Sequence, residues 1–320
     1  MQKNTALTGI RMGRPAKVRI STRIGRDFRR NYRLYLLMLP VLAFYVIFHY
    51  APMLGAVVAF KNYSPSLGIF GSPWVGLTHF RDFFSSYYFV RILKNTLLLS
   101  TYTILFCFPA PIILALMLNE LHSRAFLRVT QTIVYLPRFI SIIVICSLIK
   151  TFTYSDGIIN DIMFNFTGQR VPLLQEPQYF RTVYVISEIW QTMGWDSIIY
   201  MAALAGVDQE LYDAACVDGA GKWRQLWCVT LPSIAPTIVV LLIIKVGSMM
   251  NLGYEKVILL YNEVTYETAD IISSFIYRKG LLDFSWSYST AVGLFNSLCS
   301  FILLIAANGI SRKFTESSLW

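Results

Sequence analysis

Six stretches of this chain, residues 35–59, 95–118, 129–151, 180–205, 233–253 and 288–310, are long and apolar enough to cross a bilayer. A spanning helix needs about 20 mainly apolar residues. Lipid offers the backbone no hydrogen-bonding partner, so only helices and closed barrels survive in it. Runs of this length exclude the short strands of a barrel, and the expected fold is an all-α integral membrane protein with six transmembrane helices. Composition agrees: 55% of residues are hydrophobic and 14% charged, against roughly 25% charged in a soluble domain.

Basic residues near span ends set the orientation, because Lys and Arg are retained on the cytoplasmic side. With the N-terminus inside, segments 1–34, 119–128, 206–232 and 311–320 hold more than half of the 28 Lys and Arg, and Arg23, Arg26, Arg29, Arg30 and Arg33 crowd ahead of the first run. Both termini are therefore expected in the cytoplasm. The organisation that follows is a basic, disordered arm at 1–34, a six-helix domain at 35–310 and a cytoplasmic tail at 311–320. A net charge of +10 also fits nucleic-acid binding, but the charges sit beside a span and no folded basic domain carries them. The first run is much longer than the 7 to 15 or so residues of a signal-peptide core and lacks its small-residue exit, so it reads as a retained span. Cys107, Cys146, Cys216, Cys228 and Cys299 are scattered without C-x-x-C spacing, which implies neither a disulfide framework nor a metal site.

Prolines interrupt the runs at Pro40, Pro52, Pro109, Pro111, Pro137 and Pro236. Kinks there are tolerated where neighbouring helices or water take up the freed carbonyls. Between the first two runs, Pro65, Gly68, Gly71, Pro73 and Gly76 precede the aromatic segment HFRDFFSSYYFV, expected to be a short helix anchored at the outer interface.

Little in the chain is suited to catalysis. His49, His79 and His122 fall far apart and on different sides of the membrane. Gly219, Gly221 and Lys222 imitate the end of a phosphate-binding P-loop, yet Cys216 stands where its first glycine belongs and Trp223 where its Ser or Thr would hold magnesium. ATP hydrolysis by that route is excluded. Asp156, Asp161, Glu263 and Glu267 are the acids that a polytopic lipid or glycan transferase would use, but without paired spacing they read as solvated loop acids. An ion-coupled transporter is the third alternative. Such proteins commonly repeat themselves in two halves, and no convincing repeat is visible.

The polar segment 211–232, LYDAACVDGAGKWRQLWCVTLP, separates the fourth and fifth runs. Ala214 and Ala215 let a short helix approach another surface closely. Gly219 is free to take the positive φ that ends one helix before a second begins. Trp223, Leu226 and Trp227 offer an apolar face, and Pro232 suits the first turn of the next span. The bland alternative is an amphipathic loop resting on membrane lipid with Trp223 and Trp227 as anchors.

The pattern Asp213-Ala214-Ala215, three residues, Gly219, nine residues, Val229-Thr230-Leu231-Pro232 resembles the EAA loop of permease subunits in type I ATP-binding-cassette importers, E-A-A, three, G, nine, I-x-L-P. Asp213 and Val229 depart from it conservatively. Beyond the loop, YLLMLPVLAFYVIFHYAPMLGAVVAFKNYSPSLGIF, ALMLNELHSRAFLRVTQTIVYLPRFIS, NLGYEKVILLYN, AVGLF and SLW are similar to the LplB-like polysaccharide or oligosaccharide permeases, over most of residues 32–320. Arg138 departs from this branch, which commonly has histidine after Tyr-Leu-Pro.

The resemblance implies the MetI-like, maltose-permease-like fold, a place in the bacterial cytoplasmic membrane, and a transport subunit rather than an enzyme. It also implies partners: a second, different permease, an ATPase dimer and an extracellular solute-binding protein that delivers an oligosaccharide. ATP and magnesium are then held by the ATPase and no cofactor by this chain. The coupling segment, within the cytoplasmic loop 206–232, is assigned Asp213, Ala214, Ala215, Asp218, Gly219, Ala220, Trp223, Leu226, Leu231 and Pro232.

A sugar needs planar hydrogen-bonding groups and aromatic faces along its path, the residues that lipid-facing helices exclude. Glu188, Gln191, Thr192 and Trp195 recur at i, i+3, i+4, i+7 on the fourth run. A mid-span acid costs roughly 2.5 to 3.5 kcal/mol to insert, so this stripe is expected to face protein or water. Asn251, Tyr254 and Glu255 form a second polar cluster near the outer end of the fifth run, with Tyr135 and Asn296 on the third and sixth. The alternative is structural: polar residues in bundles often only bridge helices, each contributing below about 1 kcal/mol. On that reading Glu188 pairs with Lys245 or Arg138.

Overall fold

Regular structure among the described residues is helical throughout, with one isolated antiparallel bridge between Lys61 and Trp74 in a loop. The computed structural model describes residues 30–314. Most of the basic arm, with Arg23, Arg26 and Arg29, and the end of the tail, with its SLW motif, lie outside the described residues.

Among the described residues, five helical stretches are long and apolar enough to cross a membrane: Tyr32–Phe60, Tyr87–Asn119, Ile142–Thr167, Lys222–Gly247 and Trp286–Lys313. The helix Pro177–Ala205 is equally long at 29 residues, but Arg181, Glu188 and Asp196 make it too polar to stand beside them on composition alone. The chain up to Ala56 forms one unit and Val57 onward another. Within the first, Phe44, Tyr45, Phe48 and His49 contact one another through their rings.

Several expected boundaries move. The second run is helical from Tyr87, because Ser86 caps it by accepting from the Tyr88 amide at 3.2 Å. The same residue ends the short helix Thr78–Ser85, so the expected interfacial helix is two helices meeting at a corner. The third run is not one span. Helix Arg124–Tyr135 gives way to a 3-10 turn, Leu136–Phe139, and helix Ile142–Thr153 restarts under a Ser141 cap. Pro137 lacks the amide that would continue the helix and disfavours helical geometry in its predecessor. The fifth helix stops at Gly247, leaving Asn251 in a turn rather than on the span.

Three prolines are accommodated by a repeated device, whereas Pro40 and Pro236 sit inside α-helices without it. Wide π-helical segments, Val46–Tyr50, Thr103–Cys107 and Leu226–Thr230, each end two residues before a proline: Pro52, Pro109 and Pro232. A proline clashes with the carbonyl four residues earlier and cannot bond to it. In all three cases that carbonyl, on Phe48, Leu105 or Cys228, lies inside the widened turn, where the bonding register has already shifted. The helix therefore passes through. Pro232 accordingly does not open a new span, as expected, but sits within a continuous helix running from Lys222 to Gly247.

Helix Pro177–Ala205 packs along Pro109–Asn119, and Leu231–Gly247 along Trp286–Phe314. One core joins Leu99, Cys107, Cys146, Phe180, Tyr184 and Val257, and another joins Ala115, Tyr200, Leu204 and Ile234 beside the 206–232 loop. The sharpest approach is at Gly194, where an added Cβ would fall 1.9 Å from the Val134 carbonyl oxygen. Only glycine lets the broken third run cross the long helix there. On the 254–282 side, fully buried Asp270 accepts from Arg278 at 2.6 Å, and Asn95 donates to the Asp270 carbonyl at 3.1 Å. Burial pushes the nearby Tyr261 hydroxyl up to about 12, so it stays protonated as part of this scaffold.

Candidate functional site

Two constellations stand out. The first is the 206–232 loop. Asp208 caps helix Gln209–Val217 by accepting from the Glu210 amide at 3.0 Å. The helix ends with Gly219 at φ 77°. The Gly219 amide donates to the Cys216 carbonyl at 3.0 Å and the Ala220 amide to Ala215 at 2.9 Å, the paired bonds of a Schellman cap. This explains the spacing: Ala215 supplies the carbonyl that a left-handed residue four positions on allows the chain to close upon. A second helical segment begins at Lys222.

Buried Gln225 braces the two, its Nε2 donating to the Ala220 carbonyl and the Cys216 sulfur, each at 3.0 Å. Tyr212 and Thr230 hydroxyls meet at 3.0 Å. Lys222 lies 3.3 Å from Glu120 at the end of helix Pro109–Asn119. Of the assigned residues, Asp213, Ala214, Asp218, Gly219, Trp223 and Pro232 are exposed and Ala215, Ala220, Leu226 and Leu231 half-buried. Leu226 thus belongs to the inner side, not to the expected apolar face. That face is Trp223, 77% exposed, with Trp227 and Val217. Gln225, Tyr212 and Thr230 were missed because polar residues in an amphipathic loop give no sign of facing inward.

The second constellation lies among the helices. Glu188 is locked, but to Lys256 rather than to Lys245 or Arg138: Lys256 Nζ donates to Glu188 Oε2 at 2.8 Å and to Gln191 Oε1 at 3.2 Å. Lys256, 3% exposed, also lies 5.4 Å over the Tyr184 ring. It escaped the sequence reading because it sits on a short helix, Tyr254–Leu260, that folds back against the bundle. Asn296 donates to Asn251 at 2.6 Å and Asn251 to Ser300 at 3.3 Å, while the Asn296 Oδ1 is buried without a hydrogen bond. Tyr254 pairs instead with the Tyr277 ring and Glu255 is exposed, so neither joins Asn251. Tyr135 is half-buried at the crossing over Gly194, and Trp195 packs edge-on against Phe139.

Asp196 was also missed. It stands in the field of Lys245, Arg138 and Glu188. A polar cavity of about 100 Å³ opens among Ser100, Thr103, Glu188, Lys245, Ser248 and Asn251. A larger one of about 610 Å³, lined by Leu148, Phe152, Ile186 and Trp190, is almost wholly apolar and offers a sugar nothing to bond. In the Leu136–Ser141 break beside Gly194 only Pro137 is buried, and Leu136 and Phe139 are exposed.

Known proteins place these features in context. Residues 107–316 match the family described as the binding-protein-dependent transport system inner membrane component. The chain is 45% identical to protein LplB of Bacillus subtilis (strain 168) over 293 residues, 91% of this chain and 92% of LplB. It is 43% identical to the polygalacturonan/rhamnogalacturonan transport system permease protein YteP of the same organism, with 90% of each covered. Among solved structures it is similar to a chain of a bacterial ABC transporter involved in the import of the acidic polysaccharide alginate. The TM-score there is 0.85 at 43% identity, covering 92% of this chain and 99% of that one. A chain of a bacterial alginate transporter in complex with an alginate pentasaccharide-bound periplasmic protein gives 0.86 at 42% identity, covering 93% and 100%.

Proposed function

The chain belongs to the binding-protein-dependent transport system inner membrane components, and we propose from that premise how it divides the labour of import with its partners. It is a multi-pass permease of the bacterial inner membrane, a transport component rather than an enzyme. Its cargo is an oligosaccharide or polysaccharide fragment presented by a solute-binding protein, in keeping with the relatives at more than 40% identity. On this reading the polar helix Pro177–Ala205 joins the five apolar stretches as a sixth span, both termini are cytoplasmic, and the arm and tail flank the 35–310 domain. Beside it stand a second, different permease and an ATPase dimer, on which ATP and magnesium are bound.

The observation that carries the coupling reading is the capped helix pair at Gly219. It is rigid by its own hydrogen bonds, exposes Trp223, Trp227 and Val217, and continues without a break into the Lys222–Gly247 helix. Closure of the ATPases presses on this tip. The movement reaches the helices around the Glu188–Lys256 pair, and the passage opens outward to accept sugar. ATP hydrolysis then resets the inward state.

Gly219→Asp tests this directly. A Cβ at Gly219 meets nothing within 4 Å, so the substitution costs the fold only the left-handed backbone, about 1 to 2 kcal/mol. Membrane insertion is expected to persist while ATP-driven sugar uptake in vesicles is abolished, because the charged side chain points at whatever docks there. Uptake at the normal rate would remove the coupling assignment.

A further inference from the structure

Glu188 and Lys245 line the same small polar cavity. Glu188 is committed to Lys256. Asp196 lies in the combined field of Lys245 and Arg138. Glu188 thus has its cation, while half-buried Lys245 stands in the wall of the same cavity. The Lys245 ammonium makes no hydrogen bond or ion pair among the described residues. A lysine in the last turn of a helix is favoured by the helix dipole, which accounts for its place on Leu231–Gly247 but not for a cavity built around it. An unpaired ammonium at membrane depth is costly and marks an ion or substrate path.

The cavity wall has a definite hydrogen-bonding polarity. Ser100 donates its hydroxyl proton to the Met249 carbonyl, Thr103 to Leu99 at 2.9 Å and Ser248 to Lys245 at 3.0 Å. Each hydroxyl therefore turns only acceptor lone pairs to the space, which suits the O–H donors of a sugar. A carboxylate needs donors, and Lys245 supplies them with a full charge. The cavity volume, about 100 Å³, equals roughly three waters at about 30 Å³ each, enough for a carboxylate and one ring edge. We propose that this cavity is a carboxylate-reading subsite on the sugar path, with Lys245 the residue that favours an acidic, uronate-bearing oligosaccharide over a neutral one of equal size. The inference rests on the importer reading above and adds the chemical class of its cargo.

The test uses the complete transporter, with mate permease, ATPase and binding protein, reconstituted in vesicles. ATP-dependent uptake is measured for trisaccharides of galacturonate, mannuronate and glucuronate and for their carboxyl-reduced neutral counterparts. Wild type is expected to take up the acidic member of at least one pair in preference. Lys245→Met should lower that uptake about tenfold, the worth of one charge-assisted hydrogen bond, whereas Lys245→Arg keeps most of it. The double variant Lys245→Met with Asp196→Asn should stay low; recovery would mean that Lys245 only neutralises Asp196, and the proposal would fall. Equal loss of acidic and neutral uptake, or wild-type preference for the neutral member of every pair, overturns it as well. The wild-type preference decides alone should Lys245→Met fail to assemble with its ATPase. Uptake of no sugar at all by wild type would instead defeat the importer reading and this inference with it.

Discussion

Cys216 and Gln225, which brace the tip of the 206–232 loop, are nine residues apart, whereas Glu188 and Lys256 meet across 68 and Asn251 and Asn296 across 45. The tip is a local object. A cap, a left-handed glycine and one buried glutamine determine it, and its working residues stay in water. The interior cavity exists only when helices from three parts of the chain converge, and its charges are stable only because they answer one another. A fault in the tip should therefore cost function with little loss of fold, and a fault in the interior should cost the fold first.

Gly194→Leu attacks the interior most severely. Its side chain has no room against the Val134 carbonyl, and overpacking of this kind costs about 3 kcal/mol or more. Little inserted, detergent-stable protein should be recovered; a normal yield with unchanged Tm would mean that the crossing yields easily. Next comes Lys256→Met, which strands a half-buried Glu188 carboxylate at up to about 3 to 5 kcal/mol. Adding Glu188→Gln should return most of the lost Tm, and no recovery would show that the pair is not the source. Asp208→Ala removes the cap of the first docking helix for about 1 kcal/mol, read as a small fall in Tm with a larger fall in uptake. Smallest in stability is Trp223→Ala, within about 0.5 kcal/mol because the ring is mostly exposed. It should nevertheless weaken capture of the ATPase in pull-down. A large Tm loss with intact capture would erase the contrast between tip and interior.

The same contrast explains what could be read from the sequence. Gly219 was legible because a positive φ four residues beyond Ala215 is a local requirement with few solutions. The apolar runs announced the helices, and i, i+3, i+4 spacing placed Glu188 and Gln191 on one stripe. Lys256 was invisible, since no local rule says which distant cation returns to a buried acid. Asp196 was passed over likewise, and Lys245, singled out as a partner for Glu188, instead stands unpaired among the described residues in the cavity wall, because no periodicity says what faces a lone charge. The break after Tyr135 was half legible, because Pro137 signals a kink but not whether the helix bends or ends. At Pro52, Pro109 and Pro232 the answer was a widened turn ending two residues before the proline.

The unbroken helix from Lys222 to Gly247 is, mechanically, a rod. At 1.5 Å per residue, Trp223 and Lys245 lie about 33 Å apart along it. A tilt of about 5° pivoting near the tryptophan end would carry the ammonium sideways by about 3 Å, the length of a hydrogen bond. No hinge residue is needed for that displacement, because stiffness alone delivers it. The widened turn at Leu226–Thr230 lies close to that pivot, so the helix from Leu231 to Gly247 carries the displacement.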